Sequence, residues 1–219
     1  MLKLLLPALL LACLPQAAER HKVLEHPIEL ANAPEAFLKL SESLKLADPM
    51  RASFSEEKRI RALKKPLKSS GKLVVSKEHG LYRQQVEPRA VELLVQRTGI
   101  SQRDAVGTVE RFDATQQPIV RAFIDAFLLV LSGDRVALGG QFHLYFEGTT
   151  EQWALGLVPR KEPLAKVIES IVVEGRSDKV ERYTIREVSG DSTSVAWTEV
   201  TTKSPLTDDE TKRWFGWGK

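Results

Sequence analysis

Residues 118–133 read PIVRAFIDAFLLVLSG. Pro118 suits the first turn of a helix, Ile119, Phe123, Phe127, Val130 and Leu131 recur on one side at helical spacing, and Gly133 is placed for a C-terminal cap. Between Ala122 and Leu131 only Asp125 is not apolar. A helix that is apolar nearly all round belongs inside something. What encloses it reads, on both sides, as runs of period two. Upstream, Ala52, Phe54, Ile60 and Ala62 alternate with polar residues, a turn is expected at 67–71, and strands follow at 72–75, 81–86 and 91–96, broken at His79-Gly80 and at Pro88. Downstream, Phe142, Leu144 and Phe146 alternate, as do Trp153, Leu155 and Leu157 after the Gly148 turn. A short helical stretch near 163–168 leads into strands at 168–173 and 180–185, and the Ser189-Gly190-Asp191 turn leads into 195–200.

A second, amphipathic helix starts at Ala33-Pro34, with Phe37, Leu40 and Leu44 on one face, and ends near Asp48-Pro49. The order is therefore helix, meander, helix, meander, with nine to eleven strands and two or three helices. This is a mainly β protein with helices, an α+β chain built on a curled antiparallel sheet. So few helices cannot fill the face of so large a sheet, and an apolar hollow left between them suits an acyl chain.

The whole chain fits one domain. It has 219 residues, 42% apolar and 28% charged, with a formal net charge of only +3. That surplus argues against a nucleic-acid partner, which needs cations gathered on one face. The densest cluster, residues 58–68, is interrupted by Ile60, Ala62, Leu63 and Leu67 and reads as a solvated strand and turn. Residues 1–18 have the form of a secretion signal: Lys3, an apolar run from Leu4 to Leu14, then Ala17 and Ala18. The run is shorter than the ~20 residues of a membrane-spanning helix. The alternative is lipidation at Cys13, after Leu10-Leu11-Ala12, with residues 1–12 removed. The periplasm is the expected compartment, with anchoring to the outer membrane through Cys13 as the alternative. A single domain is expected over 28–204, followed by a tail at 205–219 with an apolar patch from Trp214 to Trp217.

Catalytic signals are missing from the sequence. His21 and His26 lie near the start of the mature chain, His79 in a hairpin turn, and His143 on the solvated side of a strand. No metal-ligand spacing, nucleophile elbow or glycine-rich phosphate loop occurs, so neither an enzyme nor a bound metal or cofactor is expected. The pairs Glu56-Glu57 and Asp208-Asp209 read as surface charges.

An ordered set of motifs carries a family resemblance. Phe37-Leu-Lys, Met50-Arg-Ala-Ser-Phe54-Ser-Glu-Glu-Lys58, Leu63-Lys-Lys-Pro66-Leu67, Ser70-Gly71-Lys-Leu-Val-Val75, Gly80-Leu-Tyr-Arg83 and Glu87-Pro88 resemble the N-terminal half of LolA proteins. Leu131-Ser-Gly133-Asp134, residues 142–148 and 153–159, and Ile171-Val-Val-Glu-Gly175 resemble a LolA-like subgroup. The resemblance spans most of 35–200 and implies an unclosed β-barrel covered by helices, whose apolar lining takes up acyl chains of lipoproteins. Phe54, Leu81, Phe123, Phe127, Phe142, Leu144, Trp153 and Leu155 are the candidate lining. Many carriers place an Arg-Pro before the Gly-Leu-Phe/Tyr strand to hold the lid. Here Ser76-Lys77-Glu78-His79-Gly80 occupies that place, and Lys77 supplies charge without a guanidinium fork.

The resemblance implies a monomeric periplasmic carrier of acylated cargo, with an inner-membrane donor complex and an outer-membrane acceptor as partners. A LolB-like acceptor anchored through Cys13 and an RseB-like sensor or adaptor are the alternatives. The soluble reading expects no palmitate incorporation in the wild type, whereas label that Cys13→Ser abolishes identifies the anchored form.

Overall fold

The computed structural model describes residues 21–45, 48–114, 116 and 118–217. The leader and Cys13 lie outside these. Twelve strands form a single antiparallel sheet: β1 Pro27–Ile28, β2 Met50–Arg59, β3 Leu67–Ser76, β4 Gly80–Glu87, β5 Val91–Gln96, β6 Gly99–Asp104, β7 Val109–Asp113, β8 Phe142–Gly148, β9 Trp153–Pro159, β10 Ile168–Arg176, β11 Lys179–Glu187 and β12 Ser192–Thr202. Their spatial order is β1-β8-β9-β10-β11-β12-β2-β3-β4-β5-β6-β7. Two meanders thus meet where β12 pairs with β2, placing Trp197 opposite Phe54 and Val195 opposite Glu56. The sheet is not closed into a barrel. Helices α1 (Glu35–Lys45), α2 (Pro118–Ser132) and α3 (Arg135–Gln141) precede β8, and α4 (Asp208–Phe215) follows β12. The expected unclosed antiparallel sheet covered by helices is the observed fold, with α4 on the face opposite α2.

The long connection from β7 to β8 explains why α2 is so apolar. β7 and β8 belong to opposite wings of the sheet, so the chain must cross its inner face, and α2 with α3 makes that crossing. Ile124 of α2 is fully buried against Val95 and Ala114, and Ala126 is buried against the core of the other wing. That core joins Phe37 and Leu40 of α1 to Phe142, Leu144, Phe146, Trp153, Leu155 and Leu157 of β8 and β9. Phe37 meets Phe146 edge to face at 5.7 Å, a favoured aromatic geometry. Gly133 ends α2 with a φ of 64°, where a side chain would be strained.

Several boundaries differ from the sequence reading. Ile60 and Ala62 lie beyond β2 in the connection to β3, and residues 67–71, expected as a turn, belong to β3. The cause is at Gly71. A Cβ there would come within 1.9 Å of the Gln84 carbonyl oxygen of β4, so this glycine marks close strand approach rather than chain reversal. β6 and β7 were not anticipated, nor was α3, whose Gly139-Gly140 pair lowers helix propensity. β6 and β7 are polar strands at a sheet edge, half-buried or exposed over most of their length, and lack the alternation that marks a covered strand. The sheet accordingly has twelve strands rather than nine to eleven, and four α-helices accompany it.

The outer face is covered in two places. Residues 22–25 form a 3₁₀ turn whose Val23 and Leu24 pack on Val172, Tyr145, Ala154 and Val158. At the other end of the chain, a capping box between Thr207 and Glu210 starts α4. This helix seats Phe215 on Val74, Tyr82 and Leu94, with Trp214 stacked on Tyr82 at 6.2 Å. Arg51 fastens the helix by donating to the Ser204 carbonyl at 2.8 Å and to Glu210 at 2.9 Å. Replacing Phe142, which is fully buried in the core of β8 and β9, by Ala is expected to lower the unfolding free energy by about 3–5 kcal/mol in urea titrations.

Candidate functional site

Period-two alternation sends Tyr183 and Ile185 of β11, Ile171 and Val173 of β10, and Leu93 and Val95 of β5 to the same inner face. Between them and α2 lies a cavity of about 230 Å³. Ala126 and Val130, one helical turn apart, form its α2 side, and Leu164 of the 3₁₀ turn Leu164–Lys166 joins the lining. The walls are apolar apart from a polar corner made by Glu56, Arg83 and the Tyr183 hydroxyl. A smaller cavity of about 50 Å³ adjoins it, sharing Val130, Val173, Val180 and Trp197. Lys77, Asp48 and Asp178 border that smaller space, and the Lys77 backbone N–H donates to Asp48 at 2.9 Å. Two larger depressions, of about 660 and 540 Å³, are open to solvent and lined by groups such as Glu147, Glu174, Glu57 and Arg182, which suit water rather than hydrocarbon.

The polar corner is held in place by its neighbours. Arg83 lies over the Phe54 ring at 4.1 Å and donates to Glu56 and to the Ser69 hydroxyl, each at 3.1 Å. Ser69 donates in turn to the other Glu56 oxygen at 3.2 Å. This carboxylate therefore satisfies Arg83 on the inner face, and it is not the plain surface charge that the Glu56-Glu57 pair suggested. Only Glu57, next along the strand, takes the outer side, where it pairs with Arg59. The Tyr183 ring packs edge-on against Trp197 at 5.7 Å. Its pKa is pushed up to about 12, first by burial and then by the Glu56 charge, with Arg83 opposing. The phenol thus stays protonated at neutral pH and offers a neutral donor and acceptor.

The candidate lining residues occupy different places. Leu81 borders the larger cavity and Leu155 the smaller one. Phe54 sits beneath Arg83, within the cluster that also contains Met50, Leu73, Val195 and Trp197. Phe142, Leu144 and Trp153 are packed into the core that also holds Phe37 and Leu40, and the Trp153 indole donates to the Ser177 carbonyl at 3.0 Å. Phe123 and Phe127 belong to α2, but their side chains lie outside the described residues. Tyr183, Ile185, Ile171, Val173, Leu93, Val95 and Trp197 were not singled out from sequence. The inward positions of the strands already identified would have supplied most of them. The hollow is apolar along most of its wall and polar at the corner of Glu56, Arg83 and Tyr183. Among the described residues no cluster of His, Cys, Asp and Glu is arranged to hold a metal, and no helix is long and apolar enough to cross a membrane.

An open antiparallel sheet folded over a crossing helix, with an apolar hollow between them, is the LolA-like α+β fold. Residues 32–209 match the model of the family described as outer membrane lipoprotein carrier protein LolA-like, and the chain belongs to that family. A search of curated proteins finds no match. Among solved structures the chain is similar to a LolA superfamily protein from Nitrosomonas europaea, at 10% identity over 83% of this chain and 100% of the other, with a TM-score of 0.42. It is also similar to a chain of the Pseudomonas aeruginosa MucA/MucB complex, at 13% identity over 79% and 58% of the two chains with a TM-score of 0.46. LprF from Mycobacterium bovis is similar at 12% identity over 80% and 96%, with a TM-score of 0.35.

The raised Tyr183 pKa predicts alkaline sensitivity. The hydroxyl is protonated in both folded and unfolded chains below about pH 10, so its contribution is complete there and is lost as pH rises toward 12. The unfolding free energy is expected to fall across that interval. Tyr183→Phe should flatten the fall, leaving the part due to Tyr82, whose pKa is also raised by burial.

Proposed function

We propose that the protein is a periplasmic carrier that takes acyl chains of lipoproteins or related lipids into the hollow beneath α2 and moves them toward the outer membrane. The carrying observation is the apolar cavity of about 230 Å³, walled by both meanders and by α2. Burying a methylene contributes ~0.8 kcal/mol, so a sixteen-carbon chain is worth on the order of 10 kcal/mol of transfer. Free diffusion of such cargo through water is negligible, and a shielded space is what transport requires. The hollow is below the ~300 Å³ at which pockets for small molecules begin, so a full chain enters only if α2 shifts outward. Walls that are apolar except at the corner of Glu56 and Arg83 favour that adjustment and later release. Membership in the LolA-like family supports this reading. An inner-membrane donor and an outer-membrane acceptor are the partners this role requires.

Binding of a fluorescent sixteen-carbon acyl probe, with displacement by unlabelled lipid, tests the proposal. Ile185→Trp fills the space from a half-buried wall position and is expected to weaken probe binding about tenfold or more, with the circular dichroism spectrum unchanged. Equal probe binding by wild type and this variant would remove the cavity from the mechanism.

A further inference from the structure

The eleven residues from Lys58 to Lys68 hold six cations and no acidic side chain, whereas the entire chain has a formal net charge of only +3. The structure places this segment at one end of the sheet, where β2 passes to β3. Two other connections are tied to the same end. Arg61 donates through its backbone N–H to Asp191 at 3.0 Å and through its guanidinium to the Ser189 carbonyl at 3.2 Å, while the Val188 N–H donates to the Val167 carbonyl at 2.9 Å. Arg59 and Lys58 meet carboxylates of Glu57 and Glu187, but Lys64, Lys65 and Lys68 project into solvent. Interleaved with them are large apolar side chains that folding leaves uncovered: Leu63 is 47% exposed, Leu67 52%, Val167 41% and Val188 58%.

Exposed aliphatics set among solvent-facing lysines fit a surface that is anionic outside and apolar beneath. An acidic protein would pair with the lysines but gives no reason for four uncovered aliphatics in three separate connections. The position within the fold supplies a second argument. Glu56, at the polar corner of the hollow, is the last inward residue of β2 before Lys58, and Leu164 of the cavity wall shares a connection with Val167. The polar corner of the hollow therefore lies toward the basic and apolar end, while Leu81, Val95 and Val180 of the same lining lie toward the other.

We infer that this end of the sheet docks on an anionic lipid bilayer, with Lys64, Lys65 and Lys68 against the headgroups and Leu63 and Leu67 among the upper methylenes. Docking so oriented turns the polar corner of the hollow toward the membrane. It goes beyond acyl carriage and does not depend on it, since a surface contact needs no guest in the cavity.

The test uses the full chain carrying Cys13→Ser, with an environment-sensitive fluorophore attached through Leu63→Cys or, at the opposite end in the β8–β9 turn, through Thr150→Cys. The probes are vesicles of phosphatidylcholine alone and of phosphatidylcholine with about one-third phosphatidylglycerol. The label at 63 is expected to brighten and shift to the blue with the anionic vesicles only, and the label at 150 to stay unchanged. Lys64→Glu with Lys65→Glu should weaken the response about tenfold or more, as should high salt. Equal responses at the two positions, indifference to phosphatidylglycerol, or a response that survives charge reversal overturns the inference. Ile185→Trp, which fills the hollow, should dock like the wild type, so failure of acyl binding and failure of docking remain separable.

Discussion

Everything in this fold depends on one inequality: a twelve-stranded sheet presents more inward apolar surface than α1 and α2 can cover. A strand exposes alternate residues to each face, so ten strands of useful length bring an apolar layer that must find a partner or remain uncovered. On the β8–β9 wing the inequality is met. Large rings and leucines interdigitate with α1, and Phe142 and Leu157 are fully buried. Toward β4, β5, β10 and β11 the side chains shorten to Val, Ile and Leu, α2 offers Ala126 where a larger residue would fill the gap, and the hollow remains. The same sheet is thus a solid core on one wing and a container on the other.

The sequence revealed the layers but not where each one is filled. Period two and period 3.6 identify which residues point inward, and they did so for α1, α2 and nine of the strands, down to the Pro118 start and Gly133 end of α2. They carry no information about what stands opposite. Phe142 and Ile185 look alike as inward strand residues, yet one is enclosed in the core and the other borders a space. Ring size does not decide it either: Phe142 and Trp153 are buried in a filled core, whereas Tyr183 and Trp197 join aliphatic side chains in walling the hollow.

The polar corner was hidden for a different reason. Glu56 and Arg83 are separated by 27 residues, and a carboxylate beside another carboxylate in sequence reads as solvent-facing. Register decides otherwise: β2 pairs with β3 and β3 with β4, which puts Glu56 opposite Ser69 and Arg83 opposite Leu73 on one face. Removing Arg83 from bulk water is offset by Glu56, Ser69 and the face of Phe54 together, each too weak alone. Such a network is a property of the pairing and not of any segment.

This arrangement also constrains how a guest can leave. An acyl chain held only by dispersion and burial has no directional bond to break, so its escape is governed by how easily water is kept away from the exposed methylenes. Opening α2 into water would expose the guest and the walls at once, which is the least favourable route. Opening it against a hydrocarbon surface exposes neither. A carrier with a neutral, deformable hollow therefore gains its selectivity of release from the surroundings in which the helix moves. On the proposed reading, the charges concentrated at residues 58–68 would set where the opening takes place rather than how tightly the guest is held.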